Sequence, residues 1–567
     1  MYRAVFAIDV GLGILATIPI IYMLIDFESF IYRNVTPLPL DMVMGIIIIV
    51  LTLEATRRTV GLILPILTIF FLVYAYCGSY FPSPWAHGVL PSLDLMIGTL
   101  YMLVDPGGVF SLPTGVSATY IIMFTIFGAF LEFSGAGKFF VDLSLSAMGR
   151  KASGPGRAVT ATAAMLGTVS GSGVAVTTTT GSIMYPLLQK AGYDRETAGG
   201  LLAAAGSCAL ITPPVLGAAA FIIAEVLAVP YLVVVKWSIV PAILYILSVL
   251  FVNEFYAKRK GIKEVPVEVP KLIVVLGKYG YLFLSLIVII ALIARGYTAA
   301  LAAFWGIVAA FLASLVRKET RMGLRKVARA LDAGTKGVVS VATSCICAGL
   351  VLGVVVWTGV GMKFSSLVIQ MSGGNLVLAL IYVAALTLIL GMGLPATPSY
   401  IIGSALTAPA IIELGTPVFA AHMFVFYFAI LSNVTPPVAL AAYAAAAMTG
   451  ANPIKTAIRA TQFSLPTFLV PFMFALYPQG SVLLLEGTAL DTSWRFALAV
   501  ISVLALAAGS MGFMKRRMMI IERGLLIVAA IAMLHPFIYT DLIGIALVGV
   551  VVILQYAPHL LRRSAKT

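Results

Sequence analysis

The sequence predicts an all-α polytopic membrane protein built from inverted repeats, each carrying a re-entrant hairpin. Three observations predict it. Of 567 residues, 61% are hydrophobic and 10% are charged, too little polar material to cover a soluble globule of this size. Basic residues gather in short loops, the mark of the cytoplasmic side of a membrane. A motif also recurs at an offset of 223 residues: "ITPPVLGAAA" at 211–220 and "VTPPVALAAY" at 434–443.

Uncharged runs fall at 10–25, 60–77, 120–131, 237–252, 282–294, 376–390 and 542–554, and several approach the ~20 residues that cross a hydrocarbon core of about 30 Å. The alternating pattern of an outer-membrane barrel is absent. The N-terminal segment has no small-residue cleavage site after a short apolar core and reads as a retained helix. Starting inside at Arg3, spans exit near Phe27, return by Arg57 and exit near Cys77. The stretch 78–107, with Trp85 and His87, then lies outside or along the interface. A span from about 108 to 133 comes back to Lys138 and the basic loop 149–157.

If 158–190 crossed once, the later basic loops would fall out of step. If it enters and turns back, those at 258–264, 317–329, 515–523 and 562–566 all land inside, with 295–297 and 478–490 outside. Crossings then fall at 196–229, 231–252, 271–294, 297–316 and 337–357. A second re-entrant stretch, 375–412, precedes crossings at 417–448, 454–477, 493–512, 519–534 and 536–557. The net charge of +14 belongs to these loops and does not point to nucleic acid.

At the offset of 223, Gly192 falls on Gly415, and near it Gly167 meets Gly391. The landmarks indicate an internal duplication. The expected division is 1–105, N-terminal helices; 106–255, a first repeat with hairpin 158–190; 256–334, linking helices; 335–477, a second repeat with hairpin 375–412; and 478–567, extra C-terminal helices. The first hairpin enters from inside and the second from outside, an inverted arrangement common among secondary transporters.

The first hairpin contains "GTVSGSGVAVTTTTG" at 167–181, with four Gly, two Ser and five Thr in fifteen positions. Glycine permits a tight turn, and Ser and Thr hydroxyls supply partners for backbone or ligands for a cation. The paired prolines break a helix, leaving free carbonyls and an exposed half-helix N-terminus. Small residues also serve close helix packing. Two copies, each followed at matching distance by a TPP break, favour a site.

"GTVSGSGVAVTTTTGSIMYPLLQKAGY", "ITPPVLGAAAFIIAE", "GMGLPATPSYII" and "HMFVFYFAILSNVTPPVALAAYAAAAMTGANP" resemble the large membrane subunit of tripartite ATP-independent periplasmic (TRAP) transporters, best its fused TAXI branch, over about 105–477. The resemblance implies a permease of a prokaryotic cytoplasmic membrane that receives a small organic acid from a soluble periplasmic or extracellular binding protein. It implies symport with sodium or protons, no other cofactor, and an elevator domain carrying both hairpins past a fixed scaffold.

By resemblance, Ser170, Gly171 and Ser172 match the first tip, and Thr212, Pro213 and Pro214 the first broken helix. Gly391, Gly393, Thr397 and Ser399 match the second tip, with Asn433, Thr435 and Pro436 in its broken helix. Two convergent oxygen sets are expected to hold cations: Ser170, Gly171, Ser172 and Thr212, and their counterparts Gly391, Gly393, Thr397, Asn433 and Thr435. A substrate carboxylate is expected between them, near Ser172, Gly173, Thr212, Pro213, Pro214, Pro395, Thr397 and Pro436. Many family members carry an Asp in the second tip; this chain has "GLPAT", so sodium and proton both stay open.

No Walker A pattern occurs, which argues against ATP hydrolysis. The four cysteines fit neither a zinc ribbon nor a disulfide framework. His422 reads as a packed side chain, and Lys363 as a snorkelling one. Glu225 is the acidic residue to watch, since membrane carboxylates are often functional. A carrier of related fold that needs no binding protein is the second reading. A lipid-modifying enzyme is disfavoured, because the hairpin tips hold no titratable residues.

Overall fold

The computed structural model describes residues 2–89, 92–104, 107–148, 153–262 and 271–564. Arg150, Lys151, Lys263, Lys566, the side chains of His559, Arg562 and Arg563, and the boundary expected at 105/106 lie outside the described residues.

Among the described residues every named element is a helix. Three long apolar helices come first: α1 (Tyr2–Ile25), α2 (Pro39–Thr59) and α3 (Ile63–Cys77). After a short helix at Leu93–Met102, α4 (Leu112–Phe133) leads to α5 (Ala136–Met148). The first hairpin is α6 (Gly154–Ser170) and α7 (Gly173–Ala191). The first broken helix follows as α8 (Arg195–Ser207) and α9 (Ala219–Val226), and α10 (Tyr231–Lys260) closes the repeat. Two helices, α11 (Leu272–Ala294) and α12 (Ala299–Ser314), link to the second copy.

The second copy repeats that order. It runs α13 (Leu324–Thr358), α14 (Val360–Ser372), the hairpin α15 (Leu376–Leu390) and α16 (Ala396–Glu413), and the broken helix α17 (Val418–Leu431) and α18 (Leu440–Thr449). It ends in α19 (Pro453–Ser464) and α20 (Val470–Ala475). Three more helices finish the chain: α21 (Ala489–Met511), α22 (Ile520–Ala532) and α23 (Ile538–Ser564).

Local chemistry explains the boundaries. Asp194 starts α8 by accepting from the Thr197 amide at 2.8 Å, and Asn375 starts α15 by accepting from Val377 and Leu378 at 2.9 and 3.2 Å. Both hairpins end on a left-handed glycine, Gly192 at φ +98° and Gly415 at φ +101°, where a side chain would be disfavoured. Those two residues are 223 apart, as the duplication requires.

The two broken helices run antiparallel. Gly199, near the start of α8, packs against Thr449 and Ala445 near the end of α18. Tyr185 of α7 donates to the Thr449 carbonyl at 3.0 Å. Trp237, early in α10, stacks on Phe419, early in α17, with ring centroids 5.1 Å apart. Exposed side chains such as Ile46, Val50, Ile66 and Phe70 give α2 and α3 an apolar outer face, as a hydrocarbon solvent demands.

Three points differ from the sequence reading. Helices α5 and α14 fill 136–148 and 360–372, stretches to which that reading gave no span. Helix α13 begins at Leu324, not 337; its 35 residues extend about 52 Å, longer than a hydrocarbon core of about 30 Å. Its extra turns carry Arg325, Lys326 and Arg329. The stretch 454–477 is not one rod, because Pro466 and Pro471 bend it through a 3-10 turn at Leu465–Leu469.

Candidate hairpin site

At the first tip, α6 stops at Ser170 and Gly171 takes φ +58°. Ser172 is extended and caps α7, accepting from the Ala175 amide at 3.4 Å. A Cβ on Gly171 would lie 2.4 Å from the carbonyl oxygen of Leu216, inside the break of the first broken helix. Only glycine fits that approach. Leu216 itself adopts φ +52°, which costs a non-glycine residue roughly 1–2 kcal/mol.

The second tip repeats the design. Gly391 ends α15, and Gly393 takes φ +73° while donating its amide to the Val438 carbonyl at 3.2 Å, inside the second break. Pro395 is the N-cap of α16, and Thr397 is buried in its first turn. The registers agree in detail. Gly167 presses on Ala209 and Gly391 on Ser432, and those two partners are 223 residues apart. Each tip therefore rests on the break of its own repeat.

The carbonyls within the two breaks are not all left open, which corrects the expectation. Tyr231 donates to the carbonyls of Pro214 and Val215 at 3.0 and 2.6 Å. Thr461 donates to Val434 at 2.9 Å, and Tyr443 to Pro437. Buried backbone acceptors are rarely orphaned, so neighbouring hydroxyls take them up. The Thr212 and Thr435 hydroxyls likewise donate one turn back, to Cys208 at 2.7 Å and Leu431 at 2.8 Å, keeping only lone pairs for other partners.

Other oxygens stay available. Ser399 Oγ is buried without a hydrogen-bond partner, and a Cβ on Gly391 would lie 2.6 Å from it and 2.5 Å from Ser432 Oγ. Asn433 donates its amide nitrogen to Ile430 at 3.2 Å, which leaves Oδ1 as an acceptor.

A cavity of about 370 Å³ lies beside the first tip, lined by Ser170, Gly171, Ser172, Leu216 and Phe221, with α4 and α13 opposite. Gly173, Thr212, Pro213 and Pro214 do not line it, and no second-tip residue does. Gly173 packs instead on Ser207 and Leu210. The structure thus joins each tip to its own break, and this cavity takes in the first tip and not the second. On the far wall stand Thr125, Glu132 and Ser340, none anticipated from sequence. Glu132 closes an apolar run ahead of a basic loop, where it passes for a boundary charge.

The other candidates fall elsewhere. Glu225 is exposed at the end of α9 and does not line the cavity. His422 is partnered by Tyr400 at 2.8 Å, and Lys363 donates to the Ala86 carbonyl. Cys208, Cys345 and Cys347 are buried, Cys77 is half-buried, and all four are unbridged. Among the described residues no group of His, Cys, Asp and Glu could hold a metal.

Residues 47–486 match the family described as Tripartite ATP-independent periplasmic transporter, DctM component. The chain belongs to that family. It is a transporter family and not an enzyme class. Among relatives, the 2,3-diketo-L-gulonate TRAP transporter large permease protein YiaN of Escherichia coli (strain K12) is 33% identical over 94 residues. That match spans 17% of this chain and about a fifth (22%) of the relative's length. The YdaH transporter of Alcanivorax borkumensis aligns with a TM-score of 0.48 at 15% identity, over 77% of this chain and 99% of its own. The family match ends at 486, so α21, α22 and α23 lie beyond it.

Proposed function

We propose that this chain is the membrane permease of a binding-protein-dependent secondary transporter that imports an organic carboxylate by symport with sodium or protons. The observation that carries the reading is the docking of each glycine tip on its own broken helix, in two antiparallel copies. Such discontinuous segments offer oxygens to a cation and helix N-termini to a carboxylate.

The first cation set is Ser170, Gly171, Ser172 and Thr212; the second is Gly391, Gly393, Thr397, Asn433 and Thr435, joined by Ser399. The substrate carboxylate sits against Ser172 and Gly173, with Thr212, Pro213, Pro214, Pro395, Thr397 and Pro436 shaping the walls as the hairpin body moves past α4 and α13. The family match supports delivery by a soluble binding protein, and the three helices after 486 suit a fused, TAXI-type chain in a prokaryotic cytoplasmic membrane.

Proteoliposomes holding the chain and its binding protein test this. A panel of labelled organic acids is presented with an inward sodium or proton gradient, with and without ATP. Accumulation driven by one gradient is expected. Uptake that requires ATP and ignores both gradients contradicts the proposal.

A further inference from the structure

Among the described residues, the cavity beside the first tip has one ionisable side chain in its lining, Glu132. Its other polar groups are the uncharged Thr125, Ser170, Ser172, Thr179 and Ser340, and among the described residues no Lys, Arg or His lines it. Glu132 is exposed and takes part in no ion pair among the described residues. The nearest cation along the chain, Lys138, faces the opposing charge of Asp142 one turn further along α5. Glu132 also stands in the last turn of α4, where helix carbonyls add negative potential.

The cavity's side follows from its rim. Glu132 and Gly137 flank the end of α4, and Ala333 and Gly337 belong to the basic end of α13, which carries Arg325, Lys326 and Arg329. Those charges mark the cytoplasmic face. The space beside the first tip therefore opens inward.

We propose that Glu132 sets the charge selectivity of this inward cavity, drawing cations in and pushing carboxylates out toward the cytoplasm. The part concerning substrate rests on the transport reading above; the field itself does not. Two carboxylates sharing a partly dry space repel, and only a cation between them relieves the repulsion. An importer of anions gains from a mouth that disfavours rebinding of released product while letting the coupling cation equilibrate.

The test needs no knowledge of the substrate. Ser340→Cys on the opposite wall is placed in a Cys77→Ser background, the three remaining cysteines being buried. Inside-out vesicles are treated with a cationic and an anionic methanethiosulfonate reagent, with Glu132 intact and with Glu132→Gln. A unit charge about 8 Å away at an effective dielectric of about 60 shifts an ion's energy by about 0.7 kcal/mol. The reagents carry opposite charges, so the cationic-to-anionic rate ratio is expected to fall roughly tenfold in Glu132→Gln. Glu132→Asp should restore most of it, which a purely structural role would not produce. An unchanged ratio overturns the proposal, as does failure of both reagents to reach position 340 from the cytoplasmic side. Absent uptake in proteoliposomes alongside the tenfold change would instead fault the transport reading.

Discussion

Gly171 and Gly393 hold matching places in their repeats, each left-handed and each pressed against a break in its own broken helix. Their surroundings differ. Ser170 beside the first is exposed on a cavity, whereas Leu394 beside the second is 1% exposed and Ser399 fully buried. The difference shows that chemical equivalence between the copies does not bring equal access. In this structure Ser170 of the first tip is exposed, and Leu394 and Ser399 of the second are not.

The strongest way to break this comparison is to deny each tip its turn. Gly171→Val meets a left-handed φ and a carbonyl 2.4 Å from the new Cβ, so transport should fall below a tenth of wild type. Gly393→Val meets φ +73° and the Ile63 side chain at 2.1 Å; that neighbour is flexible, so this loss should be the smaller of the two. Uptake assays in proteoliposomes at matched protein incorporation compare them. Equal, near-wild-type uptake in both would show that neither tip is needed.

A gentler change sharpens the contrast. Ser172→Ala removes a half-exposed hydroxyl without adding bulk, and the cation concentration for half-maximal uptake should rise about three- to tenfold, as a lost ligand worth about 1 kcal/mol implies. Val176→Ala, a buried control, should leave cation dependence unchanged while lowering thermal stability. If the two variants behave alike, the first motif is a packing seam. The smallest effect is expected at Asp194→Ala, which deletes the cap of α8 outside the site. It should cost about 1 kcal/mol in a thermal-shift assay and leave the cation requirement alone.

Much of this was legible in the sequence where turn chemistry and loop charge agreed. The hairpins expected at 158–190 and 375–412 span Gly154–Ala191 and Leu376–Glu413, because glycine-rich turns and basic loops favoured the same topology. Helices α5 and α14 escaped notice since Lys138 and Asp142, or Lys363 and Gln370, interrupt their apolar pattern. The early turns of α13 were hidden by their own charges, although Arg, Lys, Ala and Leu are strong helix formers. At the site, spacing revealed the tips and the breaks. It could not show that Tyr231 and Thr461 take up the freed carbonyls, or that Glu132 and Ser340 face the first tip across a cavity. Those contacts join segments far apart in the chain and leave no periodic trace.

The unequal access of the two tips is tested most directly by single cysteines at Ser172 and Ser399, in the Cys77→Ser background, labelled with a membrane-impermeant maleimide in substrate-free vesicles of either orientation. Position 172 should react readily in inside-out vesicles and slowly in right-side-out ones, while position 399 should stay unlabelled from the cytoplasmic side. Labelling of 172 only from the outer face, or of 399 as fast as 172 from the cytoplasmic face, would contradict it.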